Sequence, residues 1–159
     1  MENKKFTVTD DLLASKSQRL LNFLIDVLII YIIEISLGTT LILIAEITSF
    51  PSLSASIESM GIIEQILIGI IILIIYYSLT EIYFSRTFAK YFTKTMVVMY
   101  DGSKPDNKTI FMRTFCRLIP IDPLSYFGNN PRGWHDSISN TFVVNKHELL
   151  EKRNLFLTE

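Results

Sequence analysis

The most constraining feature of this sequence is the position of its basic residues. None of the fifteen Lys and Arg residues falls within residues 20–85, although the same interval holds six Asp and Glu residues. A soluble domain would spread both signs of charge over its surface. Because the interval is also strongly apolar, we interpret it as a hairpin of two membrane-spanning segments.

Two stretches of this interval are long enough to cross a bilayer as helices. At ~1.5 Å per residue, residues 20–45 and residues 62–84 both exceed the ~30 Å thickness of the hydrocarbon region. Residues 46–61 between them carry no basic residue. The positive-inside rule therefore predicts this loop outside, and residues 1–19 and 85–159 in the cytoplasm. We treat the chain 1–159 as a single membrane domain.

The overall composition excludes several classes of protein. A formal net charge of −1 argues against a nucleic-acid partner, because such proteins are usually basic. The one cysteine, Cys116, excludes an internal disulfide and a zinc site built on cysteines. We expect no cofactor and no metal, and we expect membrane lipids around the chain.

The portion 85–159 combines a helical pattern with two short β-prone runs. Apolar residues recur at helical spacing over 108–119, which predicts an amphipathic helix at the inner membrane face. Residues 96–100 and 141–144 have the composition of short strands that could pair. A third span over 110–127 is the alternative, which two arginines, Asp122 and two prolines disfavour. The predicted fold is an all-α integral membrane protein with two antiparallel transmembrane helices, this inner-face helix and an optional pair of strands.

A polar stripe follows one side of the first span. Arg19, Asn22 and Asp26 share a helix face because they are three and four residues apart. Asp26 lies about two turns inside the membrane, and Glu34 lies two turns further along. Ionisable groups at such depth have a functional role or a specific partner.

Antiparallel register suggests partners for this stripe on the second span. With residues 20 and 84 at the inner boundary, three sets of residues come level: Arg19 with Glu81, Asp26 with Tyr77 or Ser78, and Glu34 with Gly69. In a purely structural interpretation these contacts only hold the helices in register. In a transport interpretation Asp26 alternates between protonated and ion-bound forms. The residues alone leave both interpretations open.

The run Gly133-Trp134-His135-Asp136 raises the question of catalysis. No nucleophile or third ligand stands nearby, so we predict no catalytic residue and no enzyme activity. Asp136 could cap the backbone donors of the short turn that follows it. Six basic residues are expected to contact anionic lipid, with a merely solvated position as the alternative for each: Arg86, Lys90, Lys94, Arg113, Arg117 and Arg132.

A set of short pieces in a fixed order indicates a family. They are Arg19 and Asp26 in the first span, RTFAK at 86–90, KTMVVMYDGSKP at 94–105, RTFCRLIP at 113–120, GWHD at 133–136 and HDSISNTFVV at 135–144. From about residue 14 to residue 144 the chain resembles the RDD family of bacterial membrane proteins, named for one arginine and two aspartates. One departure is Ala89, because the family often has Thr-Pro-Gly-Lys or Thr-Leu-Gly-Lys where this chain has TFAK.

The resemblance implies a multi-pass membrane protein whose molecular function is mostly unassigned. Transport is the usual suggestion for the family, and sodium/proton exchange has been proposed for some members. The resemblance also implies that Arg19, Asp26 and Asp136 are important for function. We therefore expect a transport-related protein of a bacterial inner membrane, in which Asp26 responds to an ion or a proton, Arg19 tunes Asp26 and Asp136 holds the cytoplasmic portion.

The expected partners follow from the small size of the membrane hairpin. Two helices cannot enclose an aqueous pathway, so transport requires a homo-oligomer or another membrane subunit. The alternative is a non-transporting scaffold or accessory subunit. In that case the polar stripe binds another helix, and the basic portion binds anionic lipid or a partner protein.

Overall fold

The computed structural model describes residues 6–120, 122–127 and 132–158 and is mostly helical. The helices are α1 (Lys16–Ile47), α2 (Pro51–Glu58), α3 (Ile62–Phe84), α4 (Phe88–Phe92), α5 (Asn107–Cys116), α6 (Trp134–Ile138) and α7 (Lys146–Thr158). The strands are β1 (Thr95–Met99) and β2 (Thr141–Asn145), and short 3-10 helices cover Asp10–Leu12 and Asp122–Phe127.

Helices α1 and α3 match the two predicted spans. Both are long and apolar enough to cross a membrane, and they are the two such helices among the described residues. Only 6% and 17% of their most apolar windows are buried inside the protein, whereas a core helix of a soluble protein would be mostly covered. Helix α1 begins before residue 20, so Arg19 belongs to its first turns. The predicted loop 46–61 contains the short helix α2, which Pro51 starts at a position that favours proline.

The chain forms two compact units. The second unit is Val27–Tyr76 and contains α2 with the adjoining parts of α1 and α3. Within it, the Glu34 carboxylate lies beside Gly69, where an added Cβ would be 3.3 Å from Glu34 Oε2. This contact agrees with the antiparallel register, which placed Glu34 and Gly69 at the same height along the two spans.

The first unit comprises Met1–Asp26 and Tyr77–Glu159 and is built on a two-stranded sheet. Strands β1 and β2 pair antiparallel, with Val97 opposite Val143, which confirms the predicted pairing of the two β-prone runs. Lys94 and Asn140 precede the two strands in left-handed conformation, and each redirects the chain into its strand. One face of the sheet packs a small apolar core that includes Val98, Val144 and Leu149 together with Val8 and Leu12.

Helix α5 differs from the expected inner-face helix in which side it buries. Asp106 caps its start by accepting a hydrogen bond from Thr109 N at 3.1 Å. The side that carries Arg113 is buried, whereas Phe111 and Phe115 are exposed. The third span over 110–127 does not form, because α5 ends at Cys116 and a separate turn begins at residue 122.

Candidate functional site

The first unit encloses a set of charged side chains that we call the buried charge cluster. Its cations are Arg19, Lys90, Arg113 and Arg117, and its carboxylates are Asp26, Glu81, Asp122 and Asp136, with His135 beside them. Each of these side chains is almost completely covered. Four cations against four carboxylates make the cluster electrically neutral when His135 is uncharged. Such balance is what allows ionised groups to remain inside a protein.

Asp136 connects the start of α1 to α5. Arg19 Nη1 donates to Asp136 Oδ2, and Arg113 Nη1 donates to Asp136 Oδ1. Arg19 Nε also donates to the carbonyl of Ala14 at 3.3 Å. Burial alone would raise the pKa of Asp136, but the neighbouring cations, Arg113 above all, hold it well below its usual range. Asp136 is therefore an ionised anchor rather than a cap for the turn that follows it.

Glu81 is the second centre of the cluster. Lys90 Nζ donates to Glu81 Oε1 at 2.7 Å, Arg117 Nη2 donates to the same oxygen at 3.2 Å, and Arg113 Nε lies 3.0 Å from Oε2. The predicted partner, Arg19, binds Asp136 instead. Glu81 is paired by Lys90 because the chain turns after α3, and helix α4 brings Lys90 back over Glu81.

Asp26 lies on α1, and its side chain contacts the start of α4. It accepts hydrogen bonds from Thr87 Oγ1 at 2.8 Å and from the Ala89 amide at 3.4 Å. Thr87 also caps α4 by accepting from Lys90 N. Ser78, one of the donors suggested by register, has a buried hydroxyl with no hydrogen-bond partner among the described residues, so it does not hold Asp26.

Asn22, the third residue of the polar stripe, points to the sheet. Its Nδ2 donates to Thr95 Oγ1 at 3.1 Å, and its Oδ1 accepts from Thr93 Oγ1 at 2.6 Å. The stripe of Arg19, Asn22 and Asp26 is thus covered by the later part of the same chain. An interpretation based on the two spans alone missed this cover.

His135 forms a buried pair with Asp122. Its Nδ1 is 2.6 Å from Asp122 Oδ2, and its backbone N–H donates to Asp122 Oδ1 at 2.9 Å. Burial lowers the pKa of His135 to about 4, although Asp136 opposes the shift. The imidazole is therefore neutral near pH 7, and a neutral ring with its proton on Nδ1 can donate to Asp122.

The basic residues expected at the lipid surface divide into two groups. Lys90 and Arg113 are buried and Arg117 nearly so, because Glu81 and Asp136 draw them inside. This corrects their predicted lipid-facing position. Lys94 is exposed, and Arg86 is half-buried with its guanidinium 3.9 Å from the centre of the Tyr91 ring.

Arg132, the sixth of these basic residues, is half-buried. It stacks 4.0 Å from the centre of the Phe142 ring, and it donates to the carbonyl oxygens of Asp136 and Thr141 at 3.1 Å. These contacts turn Arg132 toward the sheet and α6.

A small cavity lies inside the buried charge cluster. Its volume of about 10 Å³ is close to the space that one water molecule needs. Its polar lining includes Arg19, Asn22, Asp26, Lys90, Arg113 and Arg117, with His135 at one side. Among the described residues, no group of three His, Cys, Asp or Glu side chains is arranged to hold a metal ion.

Five members of this cluster were missed by sequence reasoning: Lys90, Arg113, Arg117, Asp122 and His135. One signal could have found the cations. Arg113 and Arg117 stand four residues apart on a helix whose other side is apolar, and the spans contain carboxylates without a single cation. Carboxylates in such spans need cations from elsewhere in the chain.

Comparison with known proteins supports a single assignment. No curated protein and no solved structure is detectably similar to the chain. The model of the RDD family matches residues 13–144, an interval that contains every member of the buried charge cluster from Arg19 to Asp136. The chain belongs to the RDD family.

Proposed function

We propose that the protein is a transport-related membrane protein in which Asp26 is the ion- or proton-responsive carboxylate. One observation carries the proposal. Asp26 is only 1% exposed, yet it lines a water-sized polar cavity within the length of a membrane-capable helix. A carboxylate that can reach a water or an ion at such depth has the minimum chemistry for proton-coupled exchange.

Arg19 and Asp136 have supporting roles in this proposal. Arg19 lines the same cavity as Asp26 while it donates to Asp136, so it places a positive charge at the wall of that cavity. Asp136 fastens α6, and with it β2, to the start of α1. The buried charge cluster thereby keeps the walls of the cavity in place while Asp26 changes its charge.

The proposal includes an assembly and an orientation. Two spans cannot surround an aqueous path, so the active form is a homo-oligomer or a complex with another membrane subunit. We place the protein in a bacterial inner membrane with both termini in the cytoplasm, because the basic residues lie outside the spans. Anionic lipid would then contact the exposed Lys94 and the half-buried Arg86.

Flux measurements in proteoliposomes test the role of Asp26. Asp26→Asn removes the charge but keeps an oxygen that can accept from Thr87, so insertion and folding should persist while proton-coupled flux is lost. Glu46→Gln is the matched control, because Glu46 is an exposed carboxylate on the same helix. Flux equal to that of the parent in Asp26→Asn would remove Asp26 from the mechanism.

A second candidate is a non-transporting scaffold or accessory subunit. It is favoured by the ion pairs of Asp136 and Glu81, which form inside the chain and resemble a structural lock. This candidate requires Asp26→Asn to lose a co-purifying partner rather than a flux. The mass of the complex in mild detergent separates the two, since a stable foreign partner favours the scaffold and a homo-oligomer favours transport.

A further inference from the structure

We propose that the cavity beside Asp26 binds a small monovalent anion of the halide class, together with a proton taken up by Asp26. The inference rests on the proposed function, because it names the ion and the coupling at the same cavity. It departs from a cation site, which a buried carboxylate in a membrane would first suggest.

The charges that line the cavity favour an anion. Four cationic side chains reach it, from Arg19, Lys90, Arg113 and Arg117, against the single carboxylate of Asp26. The carboxylates of Glu81 and Asp136 bind these cations but do not line the cavity. A sodium ion placed there would meet four like charges at close range in a poorly solvated site, whereas an anion would be attracted by them.

Hydrogen-bond donors of the lining lack acceptors. Arg113 Nη2 and Arg117 Nε are buried and have no hydrogen-bond partner among the described residues. Arg113 Nε also lies outside hydrogen-bonding geometry, although Glu81 Oε2 is 3.0 Å away. Buried guanidinium N–H groups that lack an acceptor are costly. Both side chains line the cavity, so an acceptor held there would lie beside the groups that carry these donors.

The size of the cavity limits the ligand. A volume of about 10 Å³ accommodates one water-sized particle. Phosphate, sulfate and organic carboxylates are too large for it. Chloride and bromide are somewhat larger than a water molecule, but they are single atoms and much smaller than those anions, so the geometry points to a halide.

Charge balance supplies the proton. The buried charge cluster is neutral with four cations, four carboxylates and a neutral His135. One added anion would leave an uncompensated buried negative charge, which is strongly unfavourable. Protonation of Asp26, the carboxylate in the lining, restores neutrality and removes its repulsion of the anion. Halide and proton therefore bind together.

The lining of the cavity contains one candidate proton acceptor besides Asp26. The charged and titratable groups around Asp26 are Arg19 on α1, Tyr77 and Glu81 on α3, Lys90 on α4, Arg113 and Arg117 at α5, Asp122 and Tyr126 on the second 3-10 helix, and His135 and Asp136 on α6. Of these, His135 lines the cavity and could take the proton instead. The experiment must therefore distinguish Asp26 from His135.

Thermal unfolding in detergent, titrated with sodium bromide against sodium gluconate at constant ionic strength, tests the site. The midpoint of the parent should rise with bromide and saturate. Its apparent affinity should weaken about tenfold per pH unit over the range in which Asp26 is ionised. Asp26→Asn should bind bromide with an affinity independent of pH, and Glu46→Gln should behave like the parent.

Three results would overturn the inference. They are a midpoint that shows no saturable response to bromide, a pH-dependent affinity that persists in Asp26→Asn, and crystals soaked in bromide whose cavity shows water without anomalous scattering. Because binding is measured without flux, the two proposals can fail separately. Bromide binding in a protein that carries no flux would refute transport and leave the anion site standing.

Discussion

Replacing Asp136 with Asn removes the carboxylate that Arg19 and Arg113 share. The amide has nearly the same volume, so the change is in charge rather than in packing. Both guanidinium groups stay buried, and the cluster gains one unpaired positive charge. Breaking a buried ion pair in this way costs about 3–5 kcal/mol. Arg113 retains its second ion pair, because Glu81 Oε2 lies 3.0 Å from Arg113 Nε. We therefore expect a cost in the lower part of that range.

The fluorescence of Trp134 provides the assay. Trp134 is the single tryptophan of the chain and stands two residues before Asp136 on α6, so its emission follows this part of the protein. A loss of about 3 kcal/mol corresponds to a fall in Tm of roughly 6–12 °C for a chain of this size. Asp10→Asn is the control, because Asp10 is exposed and its replacement should stay within about 0.5 kcal/mol.

A double substitution separates charge pairing from other effects. In Arg19→Met with Asp136→Asn, one cation and one carboxylate are lost, and the cluster is neutral again. The double variant should therefore lose less stability than the sum of the two single variants, by about 1–3 kcal/mol. A midpoint of Asp136→Asn equal to that of Asp10→Asn, or a strictly additive double variant, would refute the reasoning.

Three further predictions concern pH, Asp26 and orientation. Because burial lowers the pKa of His135 to about 4 from 6.5, the unfolded chain binds more protons between these values, and stability falls as the pH drops through them. From about pH 7 to about pH 5 the parent should lose about 2 kcal/mol, and His135→Gln should flatten this slope while His147→Gln keeps it. Thr87→Val removes the hydroxyl that donates to Asp26 and caps α4, and it should cost about 1–3 kcal/mol in chemical unfolding, with recovery in Thr87→Ser; an unchanged Thr87→Val would show that these two hydrogen bonds contribute nothing. In a Cys116→Ser background, Ser56→Cys should react with an impermeant maleimide in intact cells and Asn154→Cys only after permeabilisation, and the opposite result would contradict the positive-inside assignment.

Much of the fold could be predicted because it depends on local patterns. The two long helices follow from uninterrupted apolar stretches, which have few alternatives in a short chain. The strands at Thr95–Met99 and Thr141–Asn145 follow from β-branched composition and turn residues. Helix α2 was missed because eight residues rich in serine carry only a weak helical signal, apart from Pro51 at the start.

The candidate site was predicted only in part. Arg19, Asn22 and Asp26 were found because helical spacing places them on one face. Their partners were misassigned, since register between the two spans suggested Glu81 for Arg19. The actual partner, Asp136, is 117 residues away along the chain, and no local pattern connects it to Arg19. The family resemblance indicated that Asp136 is important, but it did not indicate which residues Asp136 contacts.

By itself, the sequence determined that this chain contains two apolar helices, that they carry acids without cations, and that the basic residues lie elsewhere. Tertiary structure decided which cation meets which carboxylate, and it turned Lys90 and Arg113 from expected lipid contacts into interior ones. The physical reason is the range of the two effects. Apolar burial depends on composition summed along a segment, whereas an ion pair depends on contact between atoms whose approach the whole folded chain must arrange.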